Sequence, residues 1–150
     1  MKTFNTVDEI LHFAIASTQE TANFFSGLSK QARNAKMKKV FEQYSRDEFT
    51  NMVRLSRVRE IGPLGITSEQ MNNLYVHDYE ISLGNASELK YSEALVVAMR
   101  KARASLMLYM DIASKTPNNE IKSVFSRLAN EEAKHKRGFE IEYNESLLLC

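Results

Sequence analysis

Two short links and one long one separate four stretches of helical periodicity, and this spacing constrains the fold more than any other feature of the sequence. The stretches cover about residues 7–28, 35–61, 88–115 and 117–147. Thr6, with Glu9 three residues on, forms a capping-box signature ahead of the first. Gly62-Pro63 stops the second, because proline lacks an amide donor and restricts the residue before it. Ser87 stands as the candidate N-cap of the third, and Thr116, ahead of Pro117, as that of the fourth. About 26 residues, Gly62 to Ser87, join the second stretch to the third. A structureless loop of that length is unusual in a compact domain, so it reads as a crossover with a short helix near Ser68–Leu74. Short links make neighbouring helices antiparallel. The expected fold class is therefore all-α: two antiparallel hairpins joined by one crossover, a four-helix bundle forming a single domain over residues 1–150.

Composition narrows the function. A net charge of +1 provides no bulk field for nucleic acid or an anionic membrane. The basic run Lys30, Arg33, Lys36, Lys38, Lys39 is interrupted by acidic residues further along the helix and reads as a solvated face. No apolar run approaches the roughly 18 residues of a membrane span, and the first residues lack the apolar core of a signal peptide. A cytoplasmic protein without nucleic-acid or membrane partners is expected. The single cysteine, Cys150, cannot form an intrachain disulfide or a cysteine-based metal site. Met99, Met107 and Met110 read as core filling, and Leu147-Leu148-Leu149 as a tail that could bury against a neighbour.

The inward seams carry the chemistry. A bundle helix presents its seam in alternating steps of four and three residues. In the fourth stretch that seam is Ile121, Phe125, Leu128, Glu132, His135, Phe139. In the second it is Met37, Phe41, Tyr44, Glu48, Asn51, Leu55, Val58. In the first it is Ile10, Phe13, Ser17, Glu20, Phe24. Three helices thus carry a carboxylate at mid-height on an apolar face. Burying a bare carboxylate costs several kcal/mol, so each needs a cation, a proton or a route to solvent. Residues three apart face the same way, so Glu132 and His135 can present oxygen and nitrogen to one point, a donor set suited to iron, manganese or zinc. A second Glu-x-x-His, Glu9 with His12, sits at a helix end and reads as structural, and His77 has no partner spacing at all.

Leu128-Ala129-Asn130-Glu131-Glu132-Ala133-Lys134-His135 resembles the fourth-helix signature of rubrerythrins, members of the ferritin-like superfamily. Ala14-Ile15, Glu20 and Phe24-Phe25 resemble the first helix of that family, with Phe25 in place of the usual tyrosine. Asp47-Glu48 resembles the second, and Ala94-Leu95, Ala98 and Leu108-Tyr109-Met110 the third. The resemblance spans about residues 7–145. It implies a ferritin-like four-helix bundle with an iron site held by Glu20, Glu48, Glu132 and His135. It also implies a homo-oligomer, as a dimer, and an external electron donor, because the family's rubredoxin-like module requires four cysteines.

The departures from the family pattern bear on how many iron ions, one or two, the site holds. Asn51 stands where a histidine is usual, Ala104 where a glutamate is usual, and Met107 where a further carboxylate often stands. Arg100 lies about 40° from Ala104 on a helical wheel and Lys101 about 60° off on the other side. Either could enter the space left by the missing glutamate, with Arg100 the better suited to pair with carboxylates. Two functions follow. One is an iron-dependent oxidoreductase acting on peroxide or oxygen. The other is a non-catalytic bundle that has lost the di-iron site and serves as a structural or binding protein.

Overall fold

The computed structural model describes residues 2–148. Long helices α1 (Val7–Lys30) and α2 (Ala35–Ser56) form one hairpin. The crossover follows, with two single-turn helices, α3 (Val58–Ile61) and α4 (Ser68–Met71), and 3-10 turns at Val76–Asp78 and Ala86–Glu88. Helices α5 (Tyr91–Lys115) and α6 (Asn119–Leu148) form the second hairpin. Among the described residues the only strand-like pairing is an isolated antiparallel bridge, Thr3 with Tyr75. The all-α bundle with its long connection between the second and third long helices is as expected. No helix is long and apolar enough to cross a membrane.

Local chemistry sets the helix ends. Thr6 Oγ1 accepts from the Glu9 amide at 3.1 Å, while the Glu9 carboxylate reaches back to the Asn5 amide at 2.8 Å. Asn34 caps α2 by accepting from the Met37 amide. Three boundaries differ from the sequence expectation. The second helix breaks at Arg57, so α3 is a separate turn ending at Gly62. Ser87 lies in a 3-10 turn, and α5 begins at Tyr91, where Glu93 accepts from the Lys90 amide at 3.0 Å. Thr116 closes α5, and the cap of α6 is Asn118, whose Oδ1 accepts from the amides of Glu120 and Ile121 at 3.0 and 3.1 Å. Asn is the stronger cap, and one residue more of turn after Pro117 lets it take that position.

The crossover is part of the core. Leu64, Ile66, Met71, Leu74, Val76 and Tyr79 pack with Ile10, Leu55, Leu108 and Phe125 in one apolar cluster. Gly65, at φ +68°, is needed where the chain meets the Pro117 ring, which a Cβ would strike at 2.8 Å. The Tyr79 hydroxyl donates to Asp111 at 2.6 Å, tying the crossover to α5. A second cluster gathers Phe24, Phe25, Leu28, Phe41, Leu95 and Phe139 at the other end of the bundle. Each large side chain buried this way contributes roughly 1.5–3 kcal/mol. Met107 and Met110 are 42% and 56% exposed, so they do not fill the core, whose α5 face is taken by Leu108, Tyr109 and Ile112. Leu147 and Leu148 are exposed; Leu149 and Cys150 lie outside the described residues.

Candidate metal centre

Between the two apolar clusters lies a polar layer. Glu48 and Asn51 enter it from α2, Lys101 from α5, and Glu132 and His135 from α6, all buried. The antiparallel hairpins place these mid-helix positions at one height. Glu48, Glu132 and His135 each offer a ligand atom within 4.8 Å of the others. His135 Nδ1 lies 3.2 Å from Glu48 Oε1 and 3.9 Å from Glu132 Oε2. The contacts have ion-pair distance without hydrogen-bond alignment: Glu48 Oε1, both Glu132 oxygens and His135 Nδ1 are buried with no hydrogen-bond partner.

Nearby groups orient the imidazole. Its Nε2 sits 3.3 Å from Asp47 Oδ2, so an Nε2–H donating to Asp47 leaves the Nδ1 lone pair aimed at Glu48 and Glu132. A carboxylate that fixes the tautomer in this way is the usual support for a metal-binding histidine. The Tyr44 ring covers the imidazole with centroids 4.4 Å apart, and Phe25 meets it edge-on at 6.0 Å. Gly138, one turn beyond His135, admits Tyr44: a Cβ there would overlap the Tyr44 hydroxyl.

The electrostatics favour a cation at this point. Burial raises Glu48 well above the usual carboxylate range, and the facing charge of Glu132 pushes it the same way. Burial works against a proton on His135, but Glu132 and Glu48 outweigh it and raise the imidazole to about 10. A metal ion bound there would take the place of the protons on Glu48 and His135. Burial also raises the hydroxyl of Tyr109, with the charges of Glu132 and Glu48 adding to it. The residues present fit a metal: two carboxylates and one imidazole, converging, buried and otherwise unpaired, with hard oxygen and borderline nitrogen donors suited to iron, manganese or zinc.

Of the four expected ligands, the structure brings Glu48, Glu132 and His135 together and leaves Glu20 apart. The buried stripe of α1 runs through Ile10, Ala14, Thr18, Thr21 and Phe25, and Glu20 stands on its exposed flank. There it lines a cavity of about 320 Å³ with Ser17, Glu80, Ser82 and Lys101. Asn51 is buried, and its Oδ1 accepts from Arg54 at 3.2 Å. Ala104 is buried and offers no donor. Lys101, rather than Arg100, enters the core: Lys101 is buried and Arg100 exposed. His12 contacts Arg59 at 3.4 Å and His77 pairs with Asp78 at 3.3 Å, both on the surface. The sequence reading gave no role to Asp47 beyond its place in a motif, nor to Gly138. A glycine inside a helix, three residues after a seam histidine, was the available sign of close approach.

The sequence matches the rubrerythrin family over residues 9–143. No curated protein matches it. Among solved structures it is similar to one from Thermotoga maritima described as a ferritin-like diiron-carboxylate protein, at 20% identity and a TM-score of 0.77. That match covers 97% of this chain and 99% of the other.

Proposed function

The chain belongs to the rubrerythrin family, and from that premise we propose that Glu48, Glu132 and His135 bind a redox-active divalent metal, iron, in an oxidoreductase acting on peroxide or oxygen. The observation that carries the reading is the set of buried donor atoms from these three residues that meet without hydrogen-bond partners. Iron held there supplies one-electron chemistry toward an oxygen–oxygen bond. The chain's own residues do the rest. Asp47 holds Nε2–H of His135, which fixes Nδ1 as the donor. Tyr44 and Phe25 flank the imidazole and limit water on its faces. The sequence holds one cysteine, so electrons come from a donor outside it, and assembly as a homo-oligomer in the cytoplasm belongs to the same reading.

The test is elemental analysis of protein purified without chelators, followed by anaerobic loading with ferrous iron and addition of peroxide. Stoichiometric iron, lost in His135→Ala, together with oxidation of the bound iron by peroxide, supports the proposal. Iron that survives His135→Ala puts the site elsewhere. One observation favours the second function, a non-catalytic bundle: the Lys101 side chain is buried in the layer. Absence of metal under every loading condition would decide for it.

A further inference from the structure

The polar layer contains one cation of its own. Lys101 is 2% exposed, and it lies one turn before Ala104, where the family pattern has a metal-binding glutamate. Burial lowers the pKa of its ammonium, and the charges of Glu20, Glu48 and Glu132 act against that and favour the charged form. With Glu20 it lines the cavity between α1, α5 and the crossover. Among the described residues no ion pair joins its ammonium to any of these carboxylates, so it faces the group of them rather than being held by one. Resting on the metal-binding reading above, we propose that the Lys101 ammonium takes the place of a second metal ion, so that the chain holds a single divalent ion at Glu48, Glu132 and His135, with Glu20 balancing Lys101.

Charge and donor count support this independently. Glu48 and Glu132 supply two buried negative charges to the layer, and Glu20 adds a third at its exposed edge, on the cavity it shares with Lys101. Lys101 and one divalent ion cancel them. A second divalent ion would leave two positive charges in excess in a space enclosed by two apolar clusters, where uncompensated charge is costly. Outside that set, Arg54 pairs with Glu131 at 3.0 Å and cancels it, and Asp47 is engaged by His135 Nε2 at 3.3 Å. The donors divide in the same way. His135, Glu48 and Glu132 converge within 4.8 Å, whereas on the Lys101 side Ala104 supplies nothing and Glu20 stands on the exposed flank of α1.

The experiment counts metal per chain by elemental analysis after loading with Mn(II) and gel filtration, and reads Mn(II) EPR for an isolated ion or a coupled pair. Wild type, Lys101→Gln and Lys101→Glu are compared. The expected result is one ion per wild-type chain with an isolated-ion signal. Lys101→Gln, which removes the charge and keeps a polar side chain one atom shorter, should tighten that first ion by about tenfold. Lys101→Glu should raise the count toward two and give a coupled signal. If Lys101→Glu does not fold, the Lys101→Gln affinity decides alone. Two ions in the wild type would overturn the single-ion inference and leave the metal-binding reading intact. One ion with neither variant differing from wild type would overturn the role of Lys101. No ion in the wild type would overturn both.

Discussion

Two buried glutamates on α6, less than three turns apart, have opposite surroundings. Glu142 and Glu132 are each 1% exposed. Glu142 is satisfied completely. Arg33 donates to it through Nε and Nη2 at 3.2 and 2.8 Å, and the Tyr91 hydroxyl donates at 2.5 Å. Glu132 has no hydrogen-bond partner for either oxygen. Both lie on the same helix face and interrupt an otherwise apolar seam, so burial alone does not distinguish a structural carboxylate from a ligand. The partners do. Glu142 has a cation from the link between α1 and α2 and a hydroxyl from α5, and so locks the end of the bundle. Glu132 faces another carboxylate and an imidazole, an arrangement that a bound cation completes.

Substitutions should separate the two with opposite signs. Glu132→Gln is expected to weaken metal binding by about a hundredfold or more, because a neutral amide replaces a charged ligand. It should leave the metal-free fold nearly as stable as before, since it also removes the repulsion of Glu48. Calorimetric titration with Mn(II) and chemical denaturation of the metal-free protein measure both. Glu142→Gln should do the reverse. It weakens the charge-assisted bonds to Arg33 and should destabilise the fold by about 2 kcal/mol, with metal stoichiometry unchanged. Loss of metal in Glu142→Gln, or its retention in Glu132→Gln, would break the comparison.

pH provides a third contrast. In the metal-free protein His135 is raised from 6.5 to about 10, and Glu48 is raised as well. A group whose folded pKa is raised stabilises fully below its unfolded pKa and loses that contribution as pH rises through the folded one. Metal-free protein should therefore lose the His135 contribution between about pH 7 and pH 10, by roughly 1 kcal/mol per pH unit, while the Glu48 contribution starts to fall already above the ordinary carboxylate range. Metal replaces those protons, so the loaded protein should show a flatter profile. Denaturation midpoints at several pH values, with and without Mn(II), measure the difference. The smallest effect expected is that of Gly138→Ala. The new methyl displaces Tyr44 from the imidazole it covers, and should weaken metal binding a few-fold by loosening the ring.

Much of the fold was legible because it rests on periodicity. The seams of α2 and α6 are buried where expected, through Phe41, Glu48, Asn51 and Leu55 and through Ile121, Phe125, Leu128, Glu132, His135 and Phe139. The α1 seam was less certain, because Ser17, Thr18 and Thr21 are small and polar yet buried. Two registers fit such a helix, and the structure takes the one that turns Glu20 outward. Helix ends near 87–91 and 116–119 were blurred by having several capping residues in a row. The choice of Lys101 over Arg100 was beyond a helical wheel. It depends on which side of α5 faces α1 and the crossover, a fact set by packing across the whole bundle. Exposure of Met107 and Met110 has the same origin, since a methionine reads as apolar on either face.

The most direct test of this account is the metal content of wild type, Glu132→Gln and Glu142→Gln, expressed and loaded side by side and measured per folded chain. The account predicts stoichiometric metal in wild type and Glu142→Gln and almost none in Glu132→Gln. Equal metal in all three, or loss in Glu142→Gln alone, would contradict it.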